Sequence, residues 1–290
     1  MRSRKAAIRA EILVFLAAIL LLGALCGVAA HAQIIEEKAD QTITITFSDS
    51  GVTVSPADPY AVWVDSETNC VTILQKGSYL LSGTSADGQV VVSLSKNKKV
   101  ELELAGLDLQ CTRGPAIWVR SADKAVITLA GKTVNRLADT MNYESPAADD
   151  EDVNACLFAD CDLEIKGSGA LQVDGNYRNG IRSKDDLEIK KATLVVSAPY
   201  IGLRANTVDL QGATVDLNCY TYGILAKSKK EESGWVNADN SSLMVEAGLA
   251  GIQATGDLRI APSCMAVIHS DTPLSCAGTL QAPDLVQNEE

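Results

Sequence analysis

Glycine recurs at the start of a fixed apolar pattern along the middle of this chain. Gly180 precedes Ile181 and Ser183, then Leu187 and Ile189, then Leu194 and Val196. Gly202 precedes Leu203 and Ala205, Val208 and Leu210, Val215 and Leu217. Gly251 precedes Ile252 and Ala254, Leu258 and Ile260, Met265 and Val267. Each pair is spaced i, i+2, so its two side chains share one face of a strand. The pattern returns at Gly180, Gly202 and Gly223 with nearly constant spacing. A short fixed period of this kind belongs to stacked coils rather than a single folded sheet. Each coil then has three short strands, and their inner residues stack into columns of Ile, Leu and Val.

Parallel strands need long connections. Going round a three-sided course supplies them, with successive coils roughly 4.8 Å apart. The expected fold is therefore all-β, a right-handed parallel β-helix with three strands per coil and an N-terminal strand cap. The rival is a sandwich with closely and evenly spaced strands, which the three-pair register disfavours. Residues 33–60, with Ile43, Ile45 and Phe47 alternating with threonines, read as the cap that such stacks need. Residues 61–275 read as the β-helix, and 276–290 as a polar tail, the pattern fading towards that end. Two polar insertions, 138–154 and 227–242, interrupt the coils.

The N-terminus carries Arg2, Arg4, Lys5 and Arg9 against Glu11, then an uncharged apolar run from Ile12 to Ala30. Ala30-His31-Ala32 has the small-x-small form of a cleavage site, so residues 1–32 read as a signal peptide. An uncleaved N-terminal membrane anchor is the alternative, because the run is long enough to cross a bilayer. Both place the rest of the chain outside the cell or on its surface, with no membrane contact beyond the N-terminal segment. The chain is acidic, with net charge −12, which excludes a generic nucleic-acid binder. Seven cysteines follow Ala32, an odd number that makes a poor disulfide framework. They read as small buried apolar residues. His269 is the only histidine after Ala32, which leaves no histidine-based zinc site or triad.

The residue between each inner pair points outward. On the first strand these are Trp118, Phe158, Arg182, Arg204, Leu225 and Gln253, a ladder up one wall. Aromatic rings stack on sugars, and arginine forks onto carboxylates. Trp118, Phe158, Arg182, Lys184 and Arg204, with the turn tyrosines Tyr200 and Tyr222, are the candidate ligand-binding residues. The bland alternatives are ordinary surface residues, or aromatics covered by an insertion. On the second strand the outward Glu164, Glu188 and Asp209 stack like charges, which needs relief from solvent, Lys190 or a cation. Asp160, Asp162, Asp185 and Asp186 lie alongside, hard oxygen donors of the type that suits Ca²⁺. Solvated acidic turns are the alternative.

The run Gly175-Asn176-Tyr177-Arg178-Asn179-Gly180-Ile181-Arg182-Ser183-Lys184-Asp185-Asp186-Leu187-Glu188-Ile189 resembles the secreted carbohydrate-binding β-helix domains of cellulose-degrading bacteria. Gly77 to Thr84, Ala116 to Leu129 and Ala155 to Ile165 resemble the same group, so the likeness covers residues 60–255. It implies a pectate-lyase-like β-helix associated with calcium and polygalacturonate binding. Where the family has aspartate before the coil-start glycine, this chain has Asn179, Ile201, Tyr222 and Ala250. Calcium is thus carried over only to Asp185 and Asp186.

No motif fixes a catalytic constellation. An exposed arginine stays protonated and makes a poor general base, and nothing selects a carboxylate pair for glycoside hydrolysis. No catalytic residue is assigned. The leading expectation is a non-catalytic protein that binds an acidic plant-type polysaccharide such as polygalacturonate. A calcium-assisted polysaccharide lyase is the second reading, and a structural cell-surface spacer or adhesin the third.

Overall fold

A computed structural model describes residues 41–48, 50–228 and 233–283. The leader or anchor, the start of the cap and the end of the polar tail lie outside the described residues. Among the described residues there are strands and turns and no helix.

Three strand columns build a parallel β-helix. The first face runs through Gln89–Ser93, Ile117–Ser121, Ala155–Ala159, Asn179–Ser183, Ile201–Ala205, Tyr222–Ala226, Ala250–Ala254 and Thr272–Cys276, each parallel to the next. The second includes Lys124–Leu129, Asp162–Gly167, Asp186–Lys190, Thr207–Gln211, Val236–Asp239 and Leu258–Ile260. The third includes Val134–Ala138, Ala170–Asp174, Thr193–Ala198, Thr214–Cys219, Ser242–Ala247 and Met265–His269. Near the N-terminus, Gly77–Ser85 and Lys99–Gln110 each bend round the corner between the second and third faces, with a register shift between Leu81 and Gly83. A Cβ on Gly83, at φ +89°, would lie 2.0 Å from the Phe47 carbonyl oxygen. Only glycine fits this corner.

The inner columns are in register. Leu157, Ile181, Leu203, Ile224, Ile252 and Leu274 stack directly on one another. All but the terminal Leu274 are fully buried. The coil-start glycines exist for closeness rather than for an unusual backbone. A Cβ on Gly180 would meet Val196 Cγ1 at 2.1 Å, and one on Gly251 would meet Ile268 Cγ2 at 2.1 Å. The third strand of each coil packs directly on the start of the first.

The described part of the cap is a hairpin. Ile43–Ser48 runs parallel to Gly77–Ser85 and antiparallel to Gly51–Ser55. On the first face Val62–Asp65 pairs antiparallel with Cys70–Ile73. Both turn an open parallel edge into a hairpin, and the buried Ile45 and Phe47 seal the core beneath.

Two boundaries differ from the sequence expectation. The second insertion ends before Val236, because Val236–Asp239 is a second-face strand. Its inner pair is Val236 and Ala238, and the small alanine hides the pattern. The last third-face strand has Ala266 and Ile268 as its inner pair, stacked on Leu243 and Val245, in place of the expected Met265 and Val267: the turn after Ile260 is one residue longer than in the coil before, and Met265 is 72% exposed. The winding also continues past the expected end at residue 275, through Thr272–Cys276 to Leu280–Gln281. There the inner pair is Leu274 and Cys276 among Thr, Pro and Ser. The seven cysteines are free thiols, and Cys111, Cys156, Cys161 and Cys219 are buried, as expected of small apolar residues.

Candidate functional site: a basic groove on the first face

The outward ladder of the first face is in strict register. Trp118 pairs with Phe158, Phe158 with Arg182, Arg182 with Arg204, Arg204 with Leu225 and Leu225 with Gln253. The ladder divides into a covered half and an open half.

Trp118 and Phe158, expected as exposed sugar platforms, are instead only 6% and 1% exposed. The first insertion folds over them. Tyr143, Ala147 and Val153 close with Val91, Trp118, Ala155 and Phe158 into a second hydrophobic cluster outside the main core. Tyr143 stacks on Tyr177 with centroids 4.2 Å apart. Below them Asp139 accepts hydrogen bonds from the Tyr143 hydroxyl and from the backbone N–H groups of Asn176 and Tyr177. Burial nevertheless pushes the Asp139 carboxyl up to about 6. Two large aromatics on an outer wall expose too much apolar surface, and the insertion removes it from water.

Beyond the aromatics the wall is basic, still covered at Arg182, which is only 7% exposed, and open from Arg204 onward. Arg182 lies with its guanidinium carbon 5.6 Å from the Phe158 ring centre. Its Nη2 donates to Asp152 Oδ1 at 3.0 Å, and its Nη1 to Asn154 Oδ1 at 2.9 Å and to the Asp152 carbonyl. Lys184 Nζ lies 2.9 Å from Asp160 and 3.3 Å from Asp152. The Arg182 hydrogen bond holds Asp152 below the usual carboxylate range, and the Asp160 hydrogen bond raises Lys184.

Arg204 sits one rung further on. Among the described residues it has no ion-pair partner and no side-chain hydrogen bond. Burial, and then the like charge of Arg182, lower its pKa. A hollow of about 220 Å³ joins Asp152, Arg182, Lys184, Arg204, Asn206 and Lys227. A neighbouring hollow of about 320 Å³ joins Tyr200, Arg204, Tyr222, Leu225, Lys227 and Gln253. Arg204 and Lys227 line both, so they form one groove. Tyr200 and Tyr222 meet edge to face with centroids 6.1 Å apart, and Tyr200 is 42% exposed. Among the described residues the groove offers one guanidinium without an ion-pair partner, an exposed lysine and two tyrosines.

The four aspartates expected to hold calcium are dispersed among other partners. Asp160 is bonded to Lys184, with Lys96 3.8 Å away. Asp162 Oδ1 accepts the Asp186 N–H at 3.2 Å, and Asp186 Oδ1 accepts the Thr207 hydroxyl at 2.7 Å. Burial, then Asp162, Asp186 and Asp160, raise Asp185. Among the described residues no three His, Cys, Asp or Glu side chains gather as a metal site. This set does not fit a calcium centre, which takes six to eight oxygen ligands. The glutamate ladder is relieved by lysines: Lys124 Nζ lies 2.6 Å from Glu164 and 3.7 Å from Glu188, and Lys190 2.6 Å from Glu188.

A family model for carbohydrate-binding domain-containing proteins matches residues 67–281. The chain belongs to this carbohydrate-binding family. A carbohydrate-binding domain-containing protein of Acetivibrio thermocellus is 38% identical over 128 residues, 44% of this chain. The match covers 45% of that relative, so the chain spans less than half the length of the curated relative it matches. A solved gadolinium derivative of the polysaccharide lyase-like protein from C. thermocellum superposes with TM-score 0.79 at 29% identity. It covers 84% of this chain and 98% of its own.

Of the candidate residues, the carbohydrate-binding fold brings Arg182, Lys184, Arg204, Tyr200 and Tyr222 to one groove. Lys227, Asn206 and Gln253 line it as well. The sequence pattern marks Lys227 only as the start of an insertion, although it lies one residue beyond the inner Ala226 and so at a legible outward position. Nothing in the pattern singles out Trp235. It lines a separate hollow of about 210 Å³ on the second face with Lys124, Asp162, Asp186, Glu188 and Asp209.

Proposed function

We propose that this protein is an exported, non-catalytic binder of an acidic polysaccharide of the polygalacturonate type, acting outside the cell or at its surface. Export is inferred from the basic start and apolar run of residues 1–32. The observation that carries the ligand class is Arg204: a half-buried guanidinium that no carboxylate among the described residues pairs with, in a groove it shares with Lys227 and two tyrosines. A buried charge without a partner is costly, and a uronate carboxylate supplies that partner. Calcium is not needed for this contact, since arginine neutralises the carboxylate directly.

One observation favours a second reading. The pKa of Arg204 is lowered by burial and by Arg182, the direction that would suit a base in a polysaccharide lyase. Retention on immobilised polygalacturonate and on neutral glycans, with ultraviolet detection of unsaturated products, separates the two. Retention on polygalacturonate without product, unchanged by a chelator and reduced at least about tenfold by Arg204→Ala, is the expected result. Product that disappears with Arg204→Ala would establish the lyase instead. Retention indifferent to Arg204→Ala would overturn the groove as the site.

A further inference from the structure

Arg182 and Arg204 are direct partners on adjacent strands of the first face, about 4.8 Å apart. They are adjacent rungs of one ladder, yet their surroundings differ. Arg182 already has a carboxylate. Asp152, from the insertion, reaches across so that its Oδ1 lies 3.0 Å from Arg182 Nη2 and its Oδ2 3.3 Å from Lys184 Nζ. This carboxylate lines the same hollow as Arg204 and Lys227, and its side chain is 53% exposed. A carboxylate held between a guanidinium and an ammonium at the mouth of a groove has the contacts a uronate would make there.

We propose that Asp152 is a built-in occupant of the Arg182 rung, which closes that end of the groove to acidic sugars and so sets the length of ligand the groove accepts. The inference rests on the acidic-polysaccharide reading given above. An acidic polymer lying along the ladder meets Arg204 and Lys227 first. Its next carboxylate, towards the insertion, meets the like charge of Asp152 in place of an uncovered Arg182 edge, with Lys184, which Asp160 also holds, beside it.

The Asp152 side chain is separable from the fold of the insertion. The backbone of Asp152 is fixed independently, its N–H donating to Asp150 Oδ1 at 3.0 Å and its carbonyl accepting from Arg182. Asn154 adds a further bond to Arg182 at 2.9 Å. Removing the carboxylate therefore leaves the turn seated and exposes the guanidinium edge.

The test is calorimetric titration of the full protein with oligogalacturonates of increasing length. Asp152→Ala and Asp152→Asn are compared with Arg204→Ala and with Glu151→Ala, which removes an exposed neighbouring charge. Melting curves are recorded for each variant. The expected result is that affinity of the unmodified protein levels off with length, whereas Asp152→Ala gains about three- to tenfold from one further sugar at low salt. Glu151→Ala leaves affinity unchanged, and Asp152→Asn gains less than Asp152→Ala because its amide still blocks the rung. Equal or weaker binding by Asp152→Ala, in a protein that melts normally and still loses binding with Arg204→Ala, would overturn the inference alone. Absence of binding by every form, the unmodified protein included, would overturn the acidic-polysaccharide reading and the inference with it.

Discussion

Replacing Gly180 by alanine tests the packing that makes the coils close. The backbone at Gly180 is not left-handed, so alanine is allowed conformationally and its cost is steric. The new Cβ would lie 2.1 Å from Val196 Cγ1 and 3.0 Å from the Gly202 carbonyl oxygen. The first distance is far inside van der Waals contact. Val196 is 1% exposed and stacks between Val173 and Leu217, so its side chain has nowhere to retreat. Overpacking of this kind costs about 1–3 kcal/mol. Val196→Ala alone removes two buried carbons, costing about 2 kcal/mol before any cavity penalty. In the double variant the alanine methyl occupies the space that valine vacates. The two changes should then cost at least about 1 kcal/mol less together than their sum. Rescue stays partial, because the Gly202 carbonyl is backbone and remains close. Urea denaturation of the four proteins, followed by circular dichroism, gives the cycle. Neutrality of Gly180→Ala, or simple additivity with Val196→Ala, would refute the close-approach account of the repeat glycine.

Three further outcomes are expected. Phe158→Ala should cost about 3–5 kcal/mol in urea denaturation, because Phe158 is a buried anchor of the insertion. Tyr220 is 83% exposed, and Tyr220→Ala should shift stability by no more than about 0.5 kcal/mol. A cost below about 1 kcal/mol for Phe158→Ala would mean that the insertion does not depend on this seat. Asp139 has a native pKa raised from 3.8 to about 6 by burial, so between those values the folded chain holds a proton that the unfolded chain releases. Its contribution to stability therefore grows as pH falls from above 6 towards 4, by up to about 3 kcal/mol, and is lost as pH rises through 6. Melting series for the unmodified protein and Asp139→Asn should diverge over that window, the variant showing the flatter profile. Parallel profiles would show that Asp139 titrates normally.

The ladder of the first face was legible because side-chain direction in a strand follows from position alone. Once Ile181 and Leu203 are inner residues, Arg182 and Arg204 must be outer ones, and equal coil length puts them on adjacent rungs. The same logic places Glu164 beside Glu188, but it does not reveal that Lys124, from the preceding coil, neutralises both. Nor does it show the fate of Trp118 and Phe158. Their outward direction is as the pattern requires, yet burial depends on where Tyr143, Ala147 and Val153 return, and an insertion without periodicity carries no such signal. The strand at Val236–Asp239 escapes for a simpler reason. A Val–Ala inner pair is too weak an apolar signal beside a charged insertion.

The architecture is written in the linear pattern: a short fixed period, three inner pairs per coil and a glycine where strands approach too closely for a side chain. These are local, repeated constraints, and repetition in the chain becomes repetition in space because each coil packs on its neighbours. Which outer residues stay available is settled only once the chain has folded. The insertion covers two aromatics and binds one arginine through Asp152, while Arg204, its twin one coil away, pairs with no carboxylate among the described residues. The distinction lies in contacts such as that of Arg182 with Asp152, between residues far apart in the chain. Such contacts have no period and leave no trace in the linear pattern.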